Sequence, residues 1–165
     1  MFICSVTGDT QHLRVRYVPV AAWGFTLLVA FGIADIVGRV FDGRIVDLDG
    51  PLAAVAGLAG FAFFILYNGG QFVSIGFDRA NDTLDLHHYG LKSLHTQRRI
   101  SEVTALEVHI LRRAQHRIEL RLRSGERLPV TPYHIISITN RGLKSMSSLL
   151  GMEPTMIAPS RRVLR

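Results

Sequence analysis

The chain has 165 residues, 48% of them hydrophobic, with seven histidines, one cysteine and a formal net charge of +6. A single cysteine excludes an internal disulfide framework and the multi-thiolate zinc sites, and the length allows one ordinary domain or a small domain with membrane anchors. Charge is unevenly spread: none falls between Tyr17 and Ala34 or between Gly50 and Phe77, whereas the second half is dense in Arg, Lys and His.

Residues 1–16 read as a short polar segment on the cytoplasmic side, with His12, Arg14 and Arg16 in it and Cys4 as an inert thiol. The first apolar run predicts a transmembrane helix from about Tyr17 to about Val40. Crossing a hydrocarbon core of about 30 Å takes about 20 residues. Pro19 suits a first turn, and Tyr17 and Trp23 suit an interface. The run is too long for the h-region of a signal peptide and lacks a clear Ala-x-Ala site, so a retained helix is expected.

Near the end of this run stand Asp35 and Arg39. Asp35 lies 17 residues beyond Val18, about 26 Å at 1.5 Å per residue, which is the far boundary of the hydrocarbon. The spacing predicts a helical ion pair with the acid first, interfacial or in contact with a partner subunit, without transport duty. Residues 41–50 form an acidic connector. A second transmembrane helix is expected from Pro51 to about Tyr67, stopped by "NGG"; the two make a hairpin over 17–67. Ala30, Ala34 and Gly38 in the first helix, and Ala53, Gly57, Ala56 and Gly60 in the second, recur at four-residue spacing. Such small residues let helices approach closely in lipid, either within the hairpin or against a larger complex. The connector holds one basic residue and the flanks many, so both termini are expected in the cytoplasm or its stromal equivalent.

From Gln71 the period becomes two, predicting an antiparallel cytoplasmic β-rich domain over 68–153. "TLDLHHY" (83–89) sets Leu84, Leu86 and His88 against Asp85, His87 and Tyr89. "ALEVHIL" (105–111) sets Leu106, Val108 and Ile110 against Glu107 and His109. "RIELRLR" (117–123) sets Ile118, Leu120 and Leu122 against Glu119, Arg121 and Arg123. Thr131 with Pro132 predicts the start of a C-terminal amphipathic helix, with Ile135, Ile138, Leu143, Met146, Leu149 and Leu150 on one stripe and Asn140, Arg141, Lys144 and Ser148 opposite. Gly151 stops it. About six strands and one helix is the order of a pleckstrin-homology-like roll. The fold class expected is therefore a two-helix membrane hairpin carrying an α+β domain, with a basic tail over 154–165.

Catalytic signatures are lacking: the chain has no phosphate loop, nucleophile elbow or acid pair with a partnered base, so no enzyme and no small-molecule substrate is expected. His87 and His88 point to opposite strand faces. His109 and His116 lie on different strands with no acid read at ligand spacing, so no metal site is expected. Neither helix contains a His to ligate a pigment, leaving only Asn68 and Gln71 at the helix edge; no cofactor is expected. The informative residues are basic: Arg98 and Arg99, Arg112 and Arg113, Arg121 and Arg123, and Arg161, Arg162 and Arg165. Clusters of this kind attract anionic lipid headgroups. Nucleic acid is disfavoured for a tethered domain with few stacking aromatics. Arg98, Arg99, Arg121, Arg123, Asp35 and Arg39 are the residues expected to touch lipid or a partner.

Several stretches carry a family resemblance: "WGF" (23–25), "NGGQFVSIGFD" (68–78), "YGLKSLHTQRRI" (89–100), "ALEVHI" (105–110), "RIELRLRSGERLPVT" (117–131) and "LLGME" (149–153). Their order resembles the two-helix photosystem I assembly protein family of cyanobacteria and chloroplasts, with "LPVT" where that family has Pro-Leu-Thr. The resemblance implies a non-catalytic accessory or assembly subunit of a photosynthetic membrane complex, with protein subunits as partners. A bacterial inner-membrane protein with a pleckstrin-homology-like domain shares the same order and implies a lipid-sensing or signalling module.

Overall fold

A computed structural model describes residues 2–45, 47–90, 93–112, 115–131, 134–136 and 141–158. Two helices, α1 (Val20–Phe41) and α2 (Asp49–Gly69), are long and apolar enough to cross a membrane. They pack on each other along a stripe dominated by Val, Ile and Leu side chains. On α1 the shielded positions are Ala22, Gly24, Thr26, Val29, Ile33, Ile36 and Val40, and on α2 they include Val55, Leu58, Ala62 and Ile65. Phe25 and Phe61 meet edge to face at 5.6 Å. The small-residue rows face the other way: Ala30, Ala34, Gly38, Ala53, Ala56, Gly57 and Gly60 are all exposed. A Cβ added at Gly38, Gly57 or Gly60 would meet nothing within 4 Å. The hairpin does not use these rows to pack on itself.

The first departure from the sequence reading lies before α1. Residues 1–16 are not a polar lead-in; they supply β1 (Ile3–Gly8) and most of β2 (His12–Val18), an antiparallel pair with Ile3 opposite Val18. Gly8, at φ +116°, makes the reversal, where a Cβ would collide with the His12 carbonyl, and the Asp9 carboxylate accepts the Gln11 and His12 N–H groups. Leu13, Val15 and Tyr17 alternate inward on β2. Tyr17 is therefore a core residue, not an interfacial aromatic. Helix α1 accordingly starts three residues later than the sequence suggested.

Strands β3 (Phe72–Asp78), β4 (Thr83–Tyr89) and β5 (Leu94–Arg99) extend this sheet in the order β1-β2-β3-β4-β5, all antiparallel. A single 3-10 turn at Ile100–Glu102 leads to a second sheet of β6 (Val103–Arg112), β7 (Gln115–Leu122), β8 (Arg127–Pro129) and β9 (Thr155–Ile157), in the order β8-β7-β6-β9. The expected alternation holds on β4: Leu84, Leu86 and His88 are buried and their neighbours are not. One apolar cluster joins Val15, Tyr17, Ile75 and Leu86 of the first sheet to Leu106, Val108, Ile118 and Leu120 of the second. Nine strands among the described residues thus replace the expected six or so.

The C-terminal helix is shorter than expected. Thr131 is a buried bend whose hydroxyl accepts the Ile118 N–H, and Ile135 bridges to His116 as extended chain, so neither belongs to a helix. Helix α3 spans Arg141–Leu150; Pro132, Ile138 and Asn140 lie outside the described residues. Leu143, Met146 and Leu149 are buried and Lys144 and Ser148 exposed, as the stripe predicts. Gly142 is the contact point with the first sheet: a Cβ there would fall 2.5 Å from Cys4 Sγ, 2.7 Å from Tyr17 Oη and 2.8 Å from Val15 Cγ1. The start of the presumed tail also pairs, since β9 lies parallel to β6.

Candidate functional site

The second sheet has an unusual outer face. Glu107 on β6 sits directly opposite Glu119 on β7, a like-charge pairing that is unfavourable by itself. Both carboxylates are nevertheless buried, Glu107 to 4% and Glu119 to 7% exposure. Cations flank them on both sides along the strands. Arg117 Nε lies 2.8 Å from Glu119, Arg121 Nη1 3.4 Å and Arg127 Nε 3.6 Å from Glu107. His109 Nε2 stands 3.3 Å from one oxygen of each glutamate. The network explains why acids can be buried on a solvent-side face: each is matched by guanidinium groups.

This corrects the reading that His109 has no acid at ligand spacing. Glu-x-His on a strand puts both side chains on one face, and β7 brings a second glutamate across. The three ligand atoms lie within 4.8 Å of one another, close enough for a small divalent cation. Three guanidinium groups already supply the counter-charge, however, and would repel an added dication. The arrangement fits a self-neutralised structural network better than a metal centre.

The outer face of the first sheet is built differently. Residues at matched register form rows across it: Ser5, Arg16, Ser74, His87 and His95 in one, and Thr7, Arg14, Gly76, Asp85 and Gln97 in the next. Arg14 and Arg16 are exposed and form no ion pair among the described residues. The rings of His87 and His95 stack at 3.8 Å, and Tyr89 lies 5.5 Å from His87 and 5.4 Å from Phe72. Arg14, Arg16, Phe72, His87 and Tyr89, with Ser74, Gly76 and Asp85, line a shallow concavity of about 400 Å³.

Of the residues singled out from sequence, Asp35 and Arg39 form the expected pair, Nε to Oδ2 at 2.8 Å, with both side chains exposed. Arg98 is occupied by Glu126 at 3.2 Å. Arg99 faces Thr83, at the end of the first sheet remote from the helices. Arg121 is tied to Glu107, and Arg123 follows β7 with its N–H donating to the Glu102 carbonyl. Arg113, Arg161, Arg162, Arg165 and the Arg112 side chain lie outside the described residues. Arg98, Arg99 and Arg123 thus lie around the turn between the sheets, with Arg98 and Arg121 already paired. The two unpaired ones on a shared concave face, Arg14 and Arg16, lie in the segment read as a lead-in. Their signal was "HLRVRYV", a period-two pattern of the same kind as "RIELRLR".

Burial pushes the Cys4 thiol up, despite hydrogen bonds from the Gly142 N–H and the Tyr17 hydroxyl, which keeps it an unreactive thiol. Burial also raises Tyr17. His88 is pushed down by burial, partly offset by the Pro129 carbonyl; among the described residues its Nε2 has no partner. Asp82 is held low by the Ser101 hydroxyl and N–H, which join the two sheets. Asn68 donates its amide to the Phe64 carbonyl of its own helix. No protein-family model matches the chain, and no curated protein matches it.

Proposed function

We propose that the chain is a non-catalytic, two-pass integral membrane protein serving a multisubunit membrane complex as an accessory or assembly subunit. The observation that carries this reading is the outward direction of the small-residue rows. The hairpin packs through Val29, Ile33, Val55 and Leu58, leaving Gly38, Gly57 and Gly60 with open space beside them. In lipid, faces of this kind favour close approach by another helix. The family resemblance points to a photosynthetic complex as the class of partner. Two sheets, antiparallel but for the β6–β9 pair, with α3 packed on β1 and β2, support a pleckstrin-homology-like reading of the β domain. Pairing of β2 with β3, which flank the hairpin, requires α2 to return to the side that α1 left. The acidic connector and basic flanks assign that side to the cytoplasm, so a Gly43→Cys variant should be labelled by an impermeant reagent only from the periplasmic or lumenal side.

The test is purification of the tagged full chain in mild detergent. A stoichiometric partner should co-purify and be lost in Gly38→Ile, Gly57→Ile while membrane insertion persists. A wild-type chain that runs alone, or a variant that keeps its partner, would overturn the proposal. A second reading, a membrane-anchored module that senses lipid, is favoured by the unpaired Arg14 and Arg16 on one concave face.

A further inference from the structure

We propose that the outer face of the five-stranded sheet, at Arg16, Ser74 and His87 with Arg14 beside them, binds the phosphodiester headgroup of an anionic phospholipid. The lipid belongs to the leaflet from which α1 and α2 emerge, so the inference rests on the membrane reading. It goes beyond that reading in naming a site and a ligand.

The order of side chains along the sheet carries the argument. Strand β2 runs into α1 through Pro19 alone, and α2 reaches β3 through Gly70 and Gln71. Trp23 ties the two junctions by donating its indole N–H to the Gly70 carbonyl at 3.1 Å. The row next to the helices on the outer face holds Phe72 opposite Tyr89, and aromatic side chains favour the membrane–water boundary. One row further out, about 7 Å at the rise of a strand, come Arg16, Ser74 and His87. Passing outward, the chain therefore presents apolar helix, aromatic rings, then cation with hydroxyl. A phospholipid presents acyl chain, ester region, then phosphate.

Charge complementarity fixes the class of ligand. Arg16 and Arg14 each offer guanidinium N–H donors with no carboxylate competing for them among the described residues. Ser74 adds a hydroxyl donor. The nearby acid, Asp85, stands in the Arg14 row and faces His95 at 3.7 Å, which places the anion in the Arg16 row. Arginine stems can also lie back toward the membrane along apolar surface. Arg98 and Arg99 lack this place beside the helices: Arg99 is on the same outer face without an ion pair among the described residues, but in the Thr83 row near Asp82. They sit at the opposite end of the sheet, and Arg98 is already paired.

The experiment is native mass spectrometry of the detergent-solubilised full chain titrated with phosphatidylglycerol, with phosphatidylcholine as the zwitterionic control. The wild type should retain phosphatidylglycerol preferentially, and Arg14→Gln, Arg16→Gln should weaken that retention roughly thirty-fold. Arg98→Gln, Arg99→Gln should stay within about twofold of the wild type, since screening leaves little interaction at that distance. Inorganic phosphate at equal concentration should not compete. No preference in the wild type, equal loss in the remote pair, or displacement by inorganic phosphate would each overturn the site. If circular dichroism shows the double variant misfolded, Arg16→Gln alone is read, with roughly fivefold loss expected and full retention overturning the proposal. Carbonate extraction of the same membranes separates the two failures. A chain released by carbonate fails the membrane reading, whereas a retained chain without headgroup preference fails this site only.

Discussion

The two sheets expose arginines to solvent in opposite electrostatic states. On the four-stranded sheet, Arg117, Arg121 and Arg127 are each held by a buried glutamate; on the five-stranded sheet, Arg14 and Arg16 are held by none. The same residue type, at the same period-two spacing, stabilises the fold in one place and leaves attractive charge free in the other. What separates them is the cross-strand neighbour: Glu119 faces Glu107, whereas Arg16 lies between Ser5 and Ser74. A count of basic residues measures neither quantity.

Mutations can break this comparison at different strengths. The largest effect should come from the inner face that both sheets share. Leu120 is fully buried, so Leu120→Asp places an unpaired charge in the core and should cost more than about 4 kcal/mol. Loss of the β-sheet circular dichroism signal would register it. Next, Arg121→Ala with Arg127→Ala strips Glu107 of both guanidinium partners. Removing one side of a fully buried pair costs about 3–5 kcal/mol; because these arginines are half exposed, about 1–2 kcal/mol is expected here. Arg14→Ala with Arg16→Ala should change stability by less than about 0.5 kcal/mol. Equal destabilisation of the two double variants in thermal melts would erase the distinction between the faces.

Acid should sharpen the contrast from inside. The folded state holds His88 neutral, with its proton affinity pushed below the ordinary value, so the unfolded chain binds more protons as pH falls. The His88 contribution is therefore fully present above about pH 6.5 and is lost as pH falls below it. His88→Leu, which also removes the unpartnered Nε2, should flatten that part of a stability–pH profile. A comparably small effect belongs to the helical hairpin. Asp35→Asn with Arg39→Gln removes one exposed helical pair worth about 0.3–0.5 kcal/mol, and insertion should be unchanged by protease protection.

Much of this was legible in the residues. The charge-free runs locate both helices within a few positions, and "TLDLHHY" assigns the faces of β4 correctly. What failed did so for identifiable reasons. "HLRVRYV" alternates as plainly as any later strand, but its placement against an apolar run made it look like a flank, and its partner β3 lies beyond the hairpin. Thr131 and Pro132 carry the composition of a helix start, yet the Thr131 hydroxyl serves Ile118 instead; tertiary demand overrode local preference. Glu107 and Glu119 looked like solvent-side residues because alternation says nothing about guanidinium groups that cover them. The unpaired face around Arg14 needed register across β1 to β4, and no local pattern contains that.

The junctions of β2 and β3 with the helices have a consequence for biogenesis. These two strands are neighbours in the sheet, yet 53 residues, from Pro19 to Gln71, separate the end of one from the start of the other. The whole membrane hairpin is thus the loop of an ordinary antiparallel strand pair. During synthesis β1 and β2 leave the ribosome before α1 and α2, and the β2 edge stays unsatisfied until β3 has followed both helices. Packing of the helical hairpin and closure of the central sheet are therefore one event, and the β domain cannot complete its sheet ahead of the hairpin. A chain arrested after α1 would leave the β2 edge exposed, where a chaperone or a premature strand partner could capture it.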